Sequence, residues 1–182
     1  MMKIIKWFLI VSVSILVILF ALFKFMQSQT KKASPEQTLV HNIGGANVSV
    51  FYCRPFKKER EIFGALVPYG EVWRTGANEA TTFSTDQDIT IAGKPLPKGE
   101  YTMWTIPGET SWKVIFNSKS YGWGVDFNSK AAREPEFDVL EVEVPVQKLP
   151  SVQEQFTIAF EETSSMAMTL AWDQTKIALP IN

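Results

Sequence analysis

An uninterrupted apolar run near the N-terminus limits what this chain can fold into more than any other feature. Residues 4–26 contain only two charged side chains, Lys6 and Lys24, and both stand close to the ends of the run. As a helix rising about 1.5 Å per residue, the run reaches about 34 Å, enough to cross a hydrocarbon core about 30 Å thick. Residues 4–26 are therefore predicted to form a transmembrane anchor.

Two other interpretations of this run stay open. A cleaved signal peptide has the same basic head and apolar centre, but its apolar part usually spans about 7–15 residues and ends at a small-residue cleavage site. A buried core helix usually shows a polar face. The run is longer than a signal peptide needs and no clear cleavage site follows it, so the sequence favours an uncleaved signal-anchor.

The orientation of the anchor rests on its basic head. Lysines flank both ends of the run in similar number, so the positive-inside rule decides little. A short basic head before an apolar run looks like an export signal. We therefore predict a single-pass membrane protein with a cytoplasmic N-terminus and an extracytoplasmic domain, periplasmic or at the cell surface.

Charge is distributed unevenly along the chain. All 19 acidic residues lie from Glu36 onward, together with 13 of the 18 basic residues, so this part carries a net charge of −6. An acidic domain repels phosphate backbones, which excludes a nucleic-acid partner. The predicted partners are the membrane, through the N-terminal helix, and a small ligand or another envelope protein whose identity the sequence does not give.

The rest of the chain has the alternation that is typical of strands. Residues 27–37 are polar and predicted to be a tether, and residues 38–182 are predicted to be one β domain. Leu140 and Val142 alternate with Glu141 and Glu143, which indicates a half-buried antiparallel strand. Further strand-like runs are 48–53, 81–85, 88–91, 100–106, 111–117, 156–160 and 166–172. Short strands between turn signals predict an all-β fold, an antiparallel β-sandwich of jelly-roll or Ig-like type.

A series of short motifs from Ile62 onward resembles a known family. The motifs are, in order, IFG, VPYG, VWRTGANEAT, a Leu-Pro-x-Gly-x-Tyr turn and a Thr-Ile-Pro-Gly loop. This order is similar to that of the bacterial family DUF2911, and the similarity covers most of the chain after the anchor. The resemblance implies an exported or membrane-attached protein with a β-rich domain and no assigned activity. The family tends to have Ser before Arg-Pro where this chain has Cys53, which argues against a required Cys53 nucleophile.

The segment 73–80 concentrates side chains that suit ligand binding. Arg74 offers a planar fork for a carboxylate or phosphate, Asn78 offers both a donor and an acceptor, and Glu79 can accept hydrogen bonds or a proton. Trp123 stands between two glycines and can stack on a ligand. These four residues are the predicted ligand-binding residues. The alternative is structural: Arg74 and Glu79 pair with each other, and Asn78 satisfies buried backbone.

Other chemistries find little support in the sequence. His41 is the only histidine and lies beside the predicted tether, so a His-based triad is disfavoured. The counts exclude a His-Cys zinc site. Carboxylates that could bind a cation or form a glycosidase pair are scattered, and no calcium loop is present; they are Glu71, Glu79, Asp86 and Asp88. We predict no metal and no cofactor.

The sequence therefore favours a binding or structural module of the bacterial envelope over an enzyme. The alternative is a His-independent enzyme that uses a pocket formed by residues 73–80, with Glu79 as the base and Arg74 as an anion clamp. The two differ in whether Arg74, Asn78 and Glu79 converge on an open pocket.

Overall fold

The computed structural model describes residues 2–126, 128–162 and 165–182, with side chains from residue 5 onward. The chain divides into two compact units, an N-terminal helical unit that ends at Ala33 and a β unit, Ser34–Asn182.

The helical unit is a single helix, α1 (Met2–Ala33). Its large apolar side chains are exposed on every side, and its stretch Ile5–Ala33 is long and apolar enough to cross a membrane. Such a helix is compatible with a membrane anchor or a signal sequence, because a surface helix of a soluble domain keeps a polar face.

The helix continues beyond residue 26, where the sequence predicts the start of a tether. Lys31 and Lys32 lie in its last turn, where their positive charge interacts favourably with the negative end of the helix dipole. Pro35 disfavours further helix, and the first strand begins at Glu36. The division into anchor, tether and domain stays a prediction, with these observed bounds beside it.

The β unit is built almost entirely from antiparallel strands. Its strands are β1 (Glu36–Ile43), β2 (Ala46–Cys53), β3 (Thr82–Thr85), β4 (Ile89–Ile91), β5 (Lys94–Leu96), β6 (Gly99–Ile106), β7 (Ser111–Asn117), β8 (Asp138–Glu162) and β9 (Met166–Pro180). Seven of them form one sheet in the order β1-β2-β3-β6-β7-β8-β9, while β4 and β5 form a separate ribbon. The all-β prediction is confirmed at this level.

The large sheet curls back on itself into a nearly closed, barrel-like form. Strand β8 is 25 residues long, and its second half meets the chain that follows β2. There the Phe156 N–H donates to the Pro55 carbonyl at 2.9 Å and the Lys57 N–H donates to the Glu154 carbonyl at 2.7 Å. A jelly-roll or Ig-like sandwich is a finer description than this architecture supports, and it stays a prediction.

The core fills the inside of the curled sheet. Leu140, Val142 and Val144 are buried while Glu141 and Glu143 are exposed, as the alternation predicts. The interior also holds a group of contacting aromatic rings, made of Phe63, Trp73, Trp112, Phe156 and Trp172. We call the opposite side of the sheet its outer face. Trp104 is fully buried too, but it is not part of this core cluster.

Candidate functional site

The segment 73–80 leaves the sheet and returns to it within a few residues. At its start the Trp73 N–H donates to the Thr105 carbonyl at 2.7 Å, and the Thr105 N–H donates back at 3.0 Å. At its end the Met103 N–H donates to the Thr81 carbonyl at 2.8 Å. Between these points Thr75, Gly76 and Asn78 all have positive φ, at 58°, 152° and 57°. The segment is therefore a tight, strained turn beside β6.

Buried hydroxyl groups hold this turn in shape. The Thr81 hydroxyl donates to the Thr75 carbonyl at 2.6 Å, and the hydroxyls of Thr75 and Thr105 lie 3.1 Å apart. A Cβ atom at Gly76 would lie 2.9 Å from the Cys53 carbonyl oxygen, so only glycine fits there. Backbone strain of this kind persists only where the surroundings fix it, and it gives the side chains of the turn a rigid base.

A second segment, residues 121–124, packs against this turn; we call it the covering loop. The Ala80 N–H donates to the Gly122 carbonyl at 3.1 Å, and Arg74 Nη1 donates to the Trp123 carbonyl at 2.9 Å. The ring of Tyr121 contacts Trp104 edge-on, with centroids 5.2 Å apart. The covering loop thus lies over the outer face at Ala80 and Trp104, and Trp123 stays 40% exposed.

Beside the turn, an acidic group meets the single cysteine. Cys53 Sγ, at the end of β2, lies 3.3 Å from Glu79 Oε2 and donates to it. Glu36 is the partner of Cys53 in the β1–β2 ladder, and the ligand atoms of Glu36, Cys53 and Glu79 all lie within 4.8 Å of one another. Cys53 is fully buried, Glu79 is half-buried and Glu36 is exposed.

Arg74 supplies positive charge to this group. Burial lowers the pKa of its guanidinium, and the nearby Cys53 and Glu79 oppose that shift through their charges. One N–H donor of the guanidinium is bound to the Trp123 carbonyl; its other donors have no hydrogen-bond partner among the described residues. A half-buried guanidinium with unused donors is suited to binding acceptor atoms from outside the protein.

The profile of one protein family, described as a protein of unknown function, DUF2911, matches residues 34–181. This chain belongs to the DUF2911 family. Among curated proteins and among solved structures, no match is found. The match begins at the first residue of the β unit, so the unit Ser34–Asn182 is the DUF2911 domain, and α1 lies outside it.

Three of the four predicted ligand-binding residues, Arg74, Glu79 and Trp123, lie close together in the DUF2911 domain. Arg74 contacts the backbone of Trp123 and lies in the field of Glu79. Asn78 differs: its side chain is buried and donates to the Ser34 carbonyl at 3.4 Å, which connects the turn to the start of the domain. The role of all four in ligand binding stays a prediction.

The other carboxylates singled out in the sequence act elsewhere. Asp86 accepts from the Asn47 backbone N–H and side chain, both at 2.7 Å, and these hydrogen bonds lower its pKa. Asp88 accepts from the Lys98 N–H at 2.8 Å. Both therefore fix turns of the DUF2911 domain. Glu71 is exposed.

Sequence reasoning did not identify Glu36 as part of the group. It lies within the predicted tether 27–37, whereas the structure places it on β1 opposite Cys53. The sequence gives no strong signal there, because the first three residues of the strand are polar. His41 lies on β1 too, with its ring stacked on Phe160 at 5.1 Å.

By donor type, Glu36, Cys53 and Glu79 could hold a divalent cation. However, a cation placed among them would lie beside the guanidinium of Arg74, which already supplies positive charge to Cys53 and Glu79. Like charges at short distance oppose binding. The arrangement therefore favours a ligand with acceptor atoms for Arg74 over a metal ion.

Proposed function

We propose that this DUF2911 chain is a membrane-anchored binding module, with its β domain outside the cytoplasm and a small polar ligand bound at Arg74, Glu79 and Trp123, on the turn that the buried Asn78 side chain ties to Ser34. The observation that carries the proposal is the half-buried Arg74 guanidinium. One of its N–H groups donates to the covering loop, and the others make no hydrogen bond within the described chain. The donors of this guanidinium that make no bond within the described chain can bond water or a ligand. A ligand that presents acceptor atoms would pair with them.

Neighbouring groups define the rest of the ligand. The Glu79 carboxylate accepts hydrogen bonds from hydroxyl or amine groups, and the exposed indole of Trp123 offers a flat apolar surface. The ligand would therefore have a flat side, acceptor atoms for Arg74 and a donor for Glu79. The rigid turn beneath supports this proposal, since a preformed site loses little entropy when it binds.

Ligand binding is tested with the full chain in detergent micelles. Amino acids, dipeptides, neutral sugars and uronic acids are screened as separate sets by saturation-transfer NMR. A set that binds should bind at least about tenfold more weakly to Arg74→Lys, which keeps the charge but loses the planar fork, and to Trp123→Ala. Tyr69→Ala is the matched control, because Tyr69 is 41% exposed and Trp123 is 40% exposed. Binding that is equal in Arg74→Lys and wild type would overturn the proposed site.

Membrane placement rests on α1. An apolar helix exposed on all sides needs lipid around it or removal by a signal peptidase, and its length and basic head support an anchor. In bacterial cells that make the chain, we expect it to stay with membranes after an alkaline wash and to keep residue 5 in the mature protein. Protease added to spheroplasts should digest the DUF2911 domain. A mature N-terminus beyond residue 26 would contradict the anchor.

The contact between Cys53 and Glu79 supports an alternative, a His-independent enzyme with Cys53 as nucleophile and Glu79 as base. A thiol that donates to a carboxylate at 3.3 Å has the partner that such a nucleophile needs. Against this, Cys53 is fully buried, and reactive cysteines are partly exposed.

Thiol labelling separates the two functions. For a binding module, we expect iodoacetamide to label Cys53 at neutral pH only as fast as the domain opens, with a rate that rises steeply in urea. Fast labelling of the folded wild type that slows in Glu79→Gln would support the enzyme instead.

A further inference from the structure

A depression lies on the outer face of the DUF2911 domain, over β3 and β6. We call it the hydroxyl groove; its volume is about 280 Å³. Thr82 pairs with Thr102 and Ser84 pairs with Glu100 in the β3–β6 ladder. Paired residues point to the same side of an antiparallel sheet, so these four side chains form one surface. Residues 118–120, after β7, form a wall of the groove.

Hydroxyl groups dominate the lining. They belong to Thr82, Ser84, Thr102, Ser118 and Ser120. Thr102 donates to the Lys119 carbonyl at 2.8 Å, and Ser118 donates to the Phe137 carbonyl at 3.1 Å, so these two oxygens can still accept. The hydroxyls of Thr82, Ser84 and Ser120 have no hydrogen-bond partner in the part of the chain that the structure describes. The groove thus offers several groups that both donate and accept.

The charges of the groove oppose an anionic ligand. Its one ammonium group, Lys119 Nζ, lies 2.5 Å from Glu134 Oε1 and 5.0 Å from the centroid of the Phe137 ring. The positive charge is therefore already paired with a carboxylate. Glu100 adds a carboxylate that lines the groove. An anion would have to displace Glu134 and approach Glu100, whereas a neutral ligand would meet no such opposition.

Size and chemistry together indicate the class of ligand. Pockets for drug-sized ligands measure roughly 300–1,000 Å³, so this groove suits a smaller molecule. We propose that the hydroxyl groove binds a neutral polyhydroxylated ligand of about one sugar ring, with its hydroxyls paired to those of Thr82, Ser84 and Ser120. This site is separate from the proposed site at Arg74 and Trp123 and stands without it.

The proposal is tested with the full chain in an amine-oxide detergent, because glucoside and maltoside detergents are themselves sugars. Neutral monosaccharides (glucose, galactose, mannose and N-acetylglucosamine) are compared with glucuronate and glucose 6-phosphate by saturation-transfer NMR. We expect saturable binding of at least one neutral sugar and at least tenfold weaker binding of the anionic ones.

Variants then locate the binding. Thr82→Val with Ser84→Ala removes two hydroxyls, and about 0.5–1.5 kcal/mol for each lost hydrogen bond predicts binding that is about 5-fold to 150-fold weaker. Thr38→Val is the matched control, a Thr→Val change at an exposed position of β1, and it should leave binding unchanged. If the double variant fails to fold, Ser120→Ala, in an exposed segment, replaces it with an expected loss of about fivefold. Absence of saturable sugar binding, equal binding of anionic sugars, or loss of binding in Trp123→Ala alone would overturn the proposal.

Discussion

Gly124 sets how closely the covering loop approaches the turn at Arg74. A Cβ atom at this position would lie 2.8 Å from the Ala80 Cβ and 3.2 Å from the Arg74 Cβ, and its φ is +73°. Both the close contact and the left-handed backbone require glycine. The position of the Trp123 indole therefore depends on a neighbour that has no side chain.

The change Gly124→Ala should destabilise the domain by about 1–3 kcal/mol, because it adds backbone strain and a steric clash. It should also shift the Trp123 fluorescence, since the loop must move. Urea denaturation of the full chain in micelles measures the free energy of unfolding.

Gly122→Ala is the matched control for this change. A Cβ at Gly122 would have no atom within 4 Å, so we expect a change within about 0.5 kcal/mol. Equal effects of the two substitutions would show that the loop is not held against Ala80 as described.

At the scale of the strands, Tyr52 links β2 to β8 across the interior of the curled sheet. It lies on β2, and its hydroxyl accepts from the Ile158 N–H of β8 at 2.9 Å and donates to Gln37 Oε1 at 2.9 Å. Its ring also contacts Phe156 edge-on at 5.8 Å. The side chain therefore connects β2 to β8, two strands that are not neighbours in the sheet order.

Replacing this hydroxyl, in Tyr52→Phe, leaves the buried Ile158 N–H without its partner. An unsatisfied buried donor costs about 1–3 kcal/mol, so the free energy of unfolding should fall by that amount. Tyr69→Phe, at an exposed tyrosine, should change it by less than about 0.5 kcal/mol. Protection of the Ile158 amide from hydrogen exchange should fall in Tyr52→Phe, and unchanged protection would contradict the bridging role.

The same hydroxyl predicts a dependence of stability on alkaline pH. Burial raises the pKa of Tyr52 above its ordinary value of 10.0, while the contacts with Ile158 and Arg54 partly offset this. The unfolded chain therefore loses the proton first. The stability from this group is fully present below pH 10 and is lost as the pH rises through the folded pKa. The free energy of unfolding, measured by urea denaturation from pH 8 to 11, should fall less steeply with pH for Tyr52→Phe than for wild type. An equal fall in the two proteins would contradict the raised pKa.

The strands that sequence predicts are those with strong local alternation. One such pattern is the alternation in β8, and the structure confirms it. There Leu140, Val142 and Val144 are buried and Glu141 and Glu143 are exposed. Strand β1 was not predicted, because its residues are mostly polar and its conformation depends on pairing with β2. Local pattern gives burial, whereas pairing between distant strands decides whether a sheet curls or forms two layers.

The candidate site was predictable only in part, for the same reason. Residue types alone identified the turn that carries Arg74 and Glu79. The approach of Cys53 to Glu79 joins positions 26 residues apart, and the contact of Arg74 with Trp123 joins positions 49 apart. No periodicity in the sequence encodes such contacts. They arise only once the sheet has formed.

For the whole molecule, the first residues of the β unit are part of its structure. The Arg54 N–H donates to the Pro35 carbonyl at 2.8 Å, Tyr52 donates to Gln37, and Asn78 donates to the Ser34 carbonyl. The family match also begins at residue 34. A domain that begins at residue 38, as the sequence predicts, would lack all of these contacts.

Two shortened chains test this boundary. We expect residues 34–182 to unfold cooperatively, and residues 38–182 to be less stable by about 1.5–4.5 kcal/mol, because three hydrogen bonds at about 0.5–1.5 kcal/mol each are lost. The difference in the free energy of unfolding is measured from the urea midpoints of the two chains, provided that their denaturation curves have equal m-values. Equal midpoints for the two chains would show that residues 34–37 are dispensable.

The covering loop is attached through the carbonyl groups of Gly122 and Trp123 and through the ring of Tyr121, and these hydrogen bonds use the backbone of Trp123 and not its indole. At position 123 the backbone therefore holds the loop in place, and the side chain determines which ligand the loop can contact. A saturation library at this single codon would present many different side chains on one unchanged frame, which makes the position a natural place to graft a reporter group or a new binding preference.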